Sequence, residues 1–566
     1  MNDNWVDSTL EKMTLKEKAG QVLVIPLWSL SKDNIDTGLE ILDKYHIGGR
    51  FVLGEEPDNL AETNLILQKE SKIPLLIGSD LEMGPGQTLK DCCKFPSQMC
   101  RAACGDEELE YEIGKISALQ GCAYGVNFTA SPVLDANINR FCPDVNIRSY
   151  STEPEKIISM SIAYIKGLQE NGMLAQAKHY PGNGGAGIDQ HIAPALVNLS
   201  KEEMYKIFLE PYRQAIKQAK LASVMVGHLE VPSLTNEINP NTGRPVVASV
   251  SSIILNDILR DELGFEGFAM SDALNMGGIN NDFSSAEMAV RCINAGMDSL
   301  LAFNYADMDK LHGGIVEAVE KGQLAESKLD NAVRNILNAK ARINLHKGHS
   351  LPASKDERTK IVLRNEEFAK IRKEVTSRAI TVINNRDDLL PMDFKDKKVL
   401  VISSYGPDSI VAKARGSKQV KNIIPGLLEK LDAEVIDVNL TPVISEDLFN
   451  KLNSGLEDAD IILINMFHTP SHAVGYNLFP NHNVVNLFYQ GLFQRKADVI
   501  ITAFGDPFVI DNCPSVPAFV CAYDPSEDAQ QAAFDVWIGK KQPQGKSPVT
   551  FKYYYNYGDG LELKNV

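Results

Sequence analysis

An aspartate and a histidine two residues apart, Asp189-Gln190-His191, follow the glycine-rich stretch Gly182-Asn183-Gly184-Gly185-Ala186-Gly187. In a turn, that offset lets the carboxylate reach the imidazole, hold its ring and raise its pKa. A histidine with an ordinary pKa of about 6.5 both gives and takes a proton near neutral pH. The glycines let such a segment close over a substrate and reopen. A second set of polar residues stands where short apolar runs end. Asp80 and Glu82 follow Gly78-Ser79, and Asp135 follows Pro132-Val133-Leu134, with Arg148 in the next loop. Lys178 and His179 end a third run, His228 lies in a fourth, and Asp272 follows Met270-Ser271. Carboxylates, histidines, a lysine and an arginine together suit a polyhydroxylated substrate, whose hydroxyls need several directional partners. A metal would want tighter ligand spacing, so none is expected.

These residues converge only if the runs are strands of one sheet. The runs are Gln21–Leu27, Ile47–Leu53, Pro74–Asp80, Asn127–Asp135, Leu174–Pro181, Ser223–Val231, Phe265–Asp272 and Asp298–Asn304. Each is short and mostly apolar, as strands buried on both faces should be, and amphipathic stretches separate them. Eight such alternations predict a (β/α)8 TIM-like barrel over residues 1–345, with its active site at the C-terminal ends of the strands. Residues 346–393 are polar and are expected as a linker wrapping the barrel, with a strand only at Ala379–Asn384. A second α/β pattern begins at Val399–Ser403. It predicts a smaller α/β sandwich domain over 394–566 with a mostly parallel sheet. His468, His472 and His482 lie near one strand end there, and a loop carrying them could reach the barrel mouth.

Composition narrows the class. The 566 residues carry a net charge of −17, which repels phosphate backbones and anionic lipid, so neither nucleic acid nor membrane is an expected partner. No apolar run is long enough to span a bilayer, and Met1-Asn2-Asp3-Asn4-Trp5-Val6-Asp7 lacks the layout of a signal peptide. Nine cysteines with no C-x-x-C pair fit unpaired thiols in a reducing compartment, so the expected location is cytoplasmic. The sequons at Asn127, Asn198 and Asn439 would then be silent. Gly182 to Gly187 also match G-x-G-x-x-G, but no helix opens behind them, so no dinucleotide cofactor is expected. Gly539…Gly545-Lys546-Ser547 is one residue too long for a P-loop.

Several segments together resemble glycoside hydrolase family 3. Ala177-Lys178-His179-Tyr180-Pro181-Gly182-Asn183-Gly184 with Asp189-Gln190-His191 is similar to the K-H-F-P-G-H-G and D-S-H elements of its β-N-acetylglucosaminidase branch. Leu10 to Lys18 resembles the family's opening helix, Asn146-Ile147-Arg148-Ser149-Tyr150 its R-S-F loop, and Phe268 to Leu274 its nucleophile strand. Ala379 to Asn385 and Gly545 to Phe551 are similar to the entry and exit of its second domain. The resemblance implies Asp272 as nucleophile, His191 as general acid/base and Asp189 as its partner. It implies that Asp80, Arg148, Lys178 and His179 hold the non-reducing sugar and that His228 lines its pocket. The implied activity is a retaining exo-β-N-acetylglucosaminidase on oligosaccharides from cell-wall muropeptides or chitin, through a covalent glycosyl-Asp intermediate and without cofactor. β-Glucosidase or β-xylosidase activity, or phosphorolysis of a β-N-acetylglucosaminide, stay open. The family pattern is departed from at Asn183, usually His, at Gln190, usually Ser, and at Asp80 to Gln87, which replaces D-x-E-G-G-x-V. The arginine that often follows that pattern is missing, with Lys90 the nearest basic residue.

Overall fold

The computed structural model describes residues 4–27, 30–303, 305–348, 351–406, 420–441, 443–469 and 482–564. Its N-terminal part is a barrel of eight parallel strands. They are β1 (Leu23–Pro26), β2 (Gly49–Val52), β3 (Leu76–Ser79), β4 (Phe128–Thr129), β5 (Leu174–Tyr180), β7 (Ser223–Val226), β9 (Phe268–Ser271) and β10 (Leu300–Leu301), while β6 (Ala195–Leu196) and β8 (Leu229–Glu230) form a separate parallel pair above the rim. The ladder runs β10-β1-β2-β3-β4-β5-β7-β9, and a parallel bridge between Met270 and Ser299 closes it. Helices cover the outside, among them Pro57–Glu70, Glu107–Ala123, Pro154–Gln169, Ser285–Ala295 and Glu326–Arg342. The strands are buried on both faces, which is why the sequence shows continuous apolar runs and no alternation. Phe128 fills the barrel axis, edge-on to Phe51 and to Phe268. Gly78 is required beside it, because a Cβ there would lie 2.1 Å from the ring.

All eight expected runs contain a strand, each shorter than its run. The largest contraction is β4, and the chain compensates with side chains. Asn127, fully buried, accepts the Ile77 N–H at 2.8 Å and donates to the Leu75 carbonyl at 3.1 Å. Beyond Thr129, Pro132 has no N–H to offer a ladder. Gln98 pairs there with both backbone groups of Val133, each at 3.0 Å. Leu134 then bonds the Lys178 carbonyl, which carries Asp135 up to the rim beside β5.

The second sheet holds β11 (Thr381–Asn385), β12 (Lys398–Tyr405), β13 (Glu434–Leu440), β14 (Ile461–Phe467), β15 (Asp498–Ala503) and β16 (Ala518–Cys521) in the order β11-β16-β15-β14-β12-β13. All pairs are parallel except β11 with β16. The stretch expected as a linker carries helices Lys355–Leu363 and Asn365–Ala379 and then β11, an edge strand of this sheet. The two parts are joined by side chains. Ser97 donates to the Tyr523 carbonyl at 2.7 Å, the Asp524 carboxylate accepts the Ser97 N–H, and Arg140 pairs with Asp511. Among the described residues no helix is long and apolar enough to cross a membrane.

Replacing Asn127 by Ala leaves the buried Ile77 N–H without its acceptor, while the Leu75 carbonyl keeps the Gln68 amide at 2.9 Å. One buried donor left unsatisfied costs about 1–3 kcal/mol, so N127A should be destabilised by roughly that amount in urea unfolding. A change below about 0.5 kcal/mol would show that the side chain does not replace the missing ladder of β4.

Candidate active site

Three strand ends on one side of the mouth contribute a chain of opposite charges. Lys178, the fifth residue of β5, bonds Asp80 at 2.8 Å and Glu82 at 2.7 Å, just past β3. Arg148, on the loop after β4, grips Glu82 with two N–H groups at 3.0 and 2.7 Å and reaches Asp144 at 2.7 Å. All of these side chains are buried or nearly so. Burial opposes the charge of Glu82, yet Arg148 and Lys178 outweigh it and hold that carboxyl well below the usual range. Burial likewise works against the Lys178 ammonium, and Asp80 and Glu82 reverse it, so its pKa rises. Arg101, buried below, donates to the Glu82 carbonyl at 2.9 Å and fixes the backbone from which that carboxylate projects.

Asp135 organises the neighbouring loop. One of its oxygens accepts His179 Nδ1–H at 2.8 Å together with the His179 N–H, and the other accepts the Asn183 N–H at 2.6 Å. Its carboxylate therefore folds the chain at the end of β5 back over the rim. Gly182, at φ 138°, packs on Phe208, and Gly184 passes so close to the Ala136 carbonyl that a Cβ would lie 1.8 Å from it. The glycines serve this tight passage as well as any motion.

At the far end of the loop, His191 Nδ1 lies 2.6 Å from Asp189 Oδ1, which also accepts the His191 N–H at 2.9 Å. Asp189 is fully buried, whereas His191 keeps 26% of its side chain exposed toward the mouth. Burial works against a charged ring, but the Asp189 hydrogen bond and the fields of Asp144, Asp189 and Asp272 raise its pKa to about 9. With Nδ1–H given to Asp189, the proton available to a ligand is the one on Nε2. Asp272 follows β9 directly. Its Oδ1 accepts the Ala273 N–H at 2.8 Å, and its Oδ2 accepts a Gln190 amide N–H at 3.2 Å.

Loop and strand are also docked through their backbones. The N–H groups of Gly277 and Gly278 donate to the carbonyls of His191 and Gln190 at 2.9 and 3.0 Å. Both glycines are required, since a Cβ at Gly277 would meet the Ile192 oxygen at 2.0 Å and one at Gly278 the Gln190 oxygen at 2.7 Å.

The mouth thus brings together Asp80, Arg148, Lys178, His179, Asp189, His191 and Asp272. His228 takes a different position, wholly buried behind Asp272. Its Nδ1 faces the Ser249 hydroxyl at 2.9 Å and its Nε2 the Ala273 carbonyl at 3.2 Å. Burial lowers its pKa, so the neutral ring carries its hydrogen on Nε2 and braces the turn that presents Asp272. Lys90 pairs with Glu56 on the surface and does not supply the missing arginine. Sequence reading passed over Asp144, Asn183 and Gln190 as site members. Asp144 was findable as the carboxylate one helical turn before Arg148. His468, buried against the Ser404 hydroxyl at 3.1 Å, has its pKa lowered by burial to about 4, His482 is exposed, and His472 lies outside the described residues. Among the described residues no cluster of three or more His, Cys, Asp or Glu side chains is arranged to hold a metal ion.

Residues 14–339 match the model of the glycosyl hydrolase family 3 N terminal domain, and residues 380–559 that of the family's C-terminal domain. The chain belongs to glycosyl hydrolase family 3. A β-N-acetylglucosaminidase/β-glucosidase of Cellulomonas fimi is 29% identical over 75% of this chain and 74% of its own length. The solved structure of the β-glucoside phosphorylase BglX bound to 2FGlc is 26% identical, covers 96% of each chain and superposes with a TM-score of 0.84. A family 3 β-N-acetylglucosaminidase from Paenibacillus sp. str. FPU-7 shares the fold at 24% identity, with a TM-score of 0.80 over 96% of this chain and 100% of its own.

The backbone docking generates a prediction for this family 3 glycosidase. Gly277→Ala cannot form without moving Ile192. Amide exchange across residues 184–194 should then accelerate, and glycoside turnover should fall at least about 10-fold, since a misplacement of about 1 Å can cost 10²-fold. Unchanged exchange would mean that the loop does not depend on this contact.

Proposed function

We propose that the protein is a retaining exo-β-N-acetylglucosaminidase that removes terminal β-linked GlcNAc from oligosaccharides such as muropeptide or chitin fragments. The observation that carries the reading is the Asp189–His191 pair, held by its loop on the side of the mouth where Asp272 projects. Asp272 attacks the anomeric carbon, the bond to the leaving oxygen breaks, and His191 Nε2 gives that oxygen its proton. In the second step His191 takes a proton from water, the water oxygen bonds the anomeric carbon, and the Asp272 carboxylate leaves. Asp80, Arg148, Lys178 and His179 hold the hydroxyls of the non-reducing sugar, and His228 orders the turn beneath the nucleophile. The activity named for the Cellulomonas fimi relative supports the sugar, and also leaves β-glucosidase action as the nearest variant, with β-xylosidase action a further one within the family. The nine unpaired cysteines support a cytoplasmic site of action on sugars already inside the cell.

A second reading, phosphorolysis, is favoured by one observation beyond the phosphorylase relative. The acid/base is an imidazole, and after it gives up its proton it is neutral and does not repel an incoming phosphate as a carboxylate would. A panel of aryl β-glycosides run with and without phosphate separates these readings by sugar and by acceptor. Release of free GlcNAc at a rate indifferent to phosphate fits the first, and sugar phosphate as the product the second.

The roles carry separate signatures. Asp272→Ala should lose at least about 10⁴-fold in turnover of an aryl β-GlcNAc, the scale of removing a nucleophile. Wild-type-like activity would end its assignment. His191→Ala should slow substrates with poor leaving groups by about 10²–10⁴-fold, the worth of a general acid, while activated aryl glycosides lose far less in the first step. Equal losses on both would count against an acid.

The pH dependence follows from the groups around His191, namely Asp189, Asp144, Asp272 and His228. An acid with its pKa raised to about 9 is charged below that pH and loses its proton above it. The basic limb of kcat/KM for a poor leaving group should therefore lie near pH 9. Asp189→Asn removes a partner that raises it, so the limb should move to lower pH. A limb that stays in place would show that it belongs to another group.

A further inference from the structure

Two of the three positions at which this chain departs from the K-H-F-P-G-H-G and D-S-H elements, Asn183 and Gln190, meet on a single atom. Asn183 and Gln190 both donate their side-chain amides to Asp144 Oδ2, at 2.8 and 3.2 Å. Gln190 does more. Its second N–H goes to Asp272 Oδ2 at 3.2 Å, its Oε1 accepts the His228 N–H at 2.9 Å, and its backbone carbonyl accepts the Gly278 N–H. The side chain is fully buried. Its orientation is fixed by chemistry, because a flipped amide would set its oxygen against two carboxylates and its nitrogen against an N–H donor.

We propose that Gln190 is a positioning residue that locks the acid/base loop to the nucleophile by sharing one carboxamide between Asp272 and Asp144. The proposal rests on Asp272 as nucleophile and His191 as acid/base. Two carboxylates that approach the same point in a desolvated site repel each other strongly. A neutral group with two N–H donors bridges them, and a serine hydroxyl, with one hydrogen, serves only one of them. The bridge sets the plane of the Asp272 carboxylate, with Oδ1 on the Ala273 N–H and Oδ2 on Gln190. Because Gln190 stands between Asp189 and His191, the same side chain sets the distance between nucleophile and acid. Asn183 holds Asp144 from the other side, so these two departures serve one arrangement.

Two measurements on the full-length protein decide this, with unfolding midpoints recorded for every variant. The first is amide exchange over residues 184–194 and does not depend on the reaction. Gln190→Met keeps the size and loses the donors, so exchange there should accelerate at least about 10-fold, the weight of one lost hydrogen bond of about 1.4 kcal/mol. Exchange equal to wild type would overturn the lock.

The second is kinetic, on aryl β-glycosides with good and poor leaving groups. Gln190→Met should lose about 100-fold in kcat for both, with KM within about threefold, the pattern of a misplaced nucleophile. Gln190→Glu puts a third carboxyl beside Asp144 and Asp272, with Asp189, His191 and His228 around it and Arg148 beyond Asp144. That carboxyl's one proton stands in for one of the two amide hydrogens, so part of the activity should persist on the acid side and fall as pH rises through that ionisation. The optimum should move down by a unit or more. An unmoved optimum, or Gln190→Met within threefold of wild type, would overturn the positioning role. If the wild type itself turns over no aryl β-glycoside, the proposed function fails, while the exchange result still decides whether Gln190 locks the loop.

Discussion

Like charges crowd the mouth of this barrel, and the way they are kept apart determines the structure around them. Asp80, Glu82, Asp135, Asp144, Asp189 and Asp272 all reach its C-terminal end, against the full cations Lys178 and Arg148. At a separation of about 4 Å, two such charges cost about 4 kcal/mol in a medium of effective dielectric 20. The chain separates them in three ways. Lys178 and Arg148 stand between Asp80, Glu82 and Asp144. Backbone N–H groups take the charge of Asp135, Asp189 and Asp272. Side-chain amides occupy the gap between Asp144 and Asp272. Each solution needs a strand end in register with its neighbour, so a slipped pairing at β3, β4 or β5 would leave a buried carboxylate without its partner.

The same constraint explains why a loop built largely of glycine is held at both ends. At its start Asp135 binds the Asn183 N–H, and Gly182 lies on Phe208, which projects from a π-helical turn at Met204–Leu209. At its end Gly277 and Gly278 hold the carbonyls of His191 and Gln190. Glycine here permits close backbone approach more than freedom of movement. On the proposed roles, the Asp189–His191 pair then stands on a short segment whose backbone hydrogen bonds are made before any ligand arrives, which is the condition for electrostatic preorganisation.

Much of this was readable from residue types. Apolar runs located every barrel strand, because strands buried on both faces leave no alternation to misread. Polar residues at their ends marked the mouth, because a barrel has a single catalytic face. The extent of β4 was not readable. Its run looks continuous as far as Asp135, and bonds to β5 do continue past Pro132, but on the other side Gln98 takes both backbone groups of Val133 and the Asn127 side chain takes the Ile77 N–H. Nor was the orientation of His228, since a histidine at a strand end gives no sign of which way its ring turns. What Asn183 and Gln190 bind stayed hidden for a related reason, whereas Asp144 was findable from its spacing to Arg148. An amide has no charge to flag it, and its meaning appears only when two carboxylates from other loops are set against it. In the stretch 346–393, polarity reflects helices half exposed on the barrel surface, and β11 at its end belongs to the second sheet.

The second domain has a mechanical share in the site, and it bears on the acceptor. The loop from Asp135 to Arg148 carries the carboxylate and the guanidinium that shape one wall, and it holds few backbone ladder bonds of its own. Arg140 within it pairs with Asp511, and the Ser151 hydroxyl donates to the Pro548 carbonyl, so the wall is braced from outside the barrel. On the proposed roles, the first step ends with His191 neutral beside a glycosyl-Asp ester. Loss of the proton and loss of the Asp272 charge come together, so the field at the acceptor position becomes less negative by one unit and less positive by one unit. What remains charged around it is Asp189, hydrogen-bonded to the His191 ring, and Asp144, already bridged by Arg148, Asn183 and Gln190. An acceptor, whether water or phosphate, therefore meets a site whose charges are paired internally, and its approach is governed by the proton affinity of His191 more than by bulk attraction to the acidic protein.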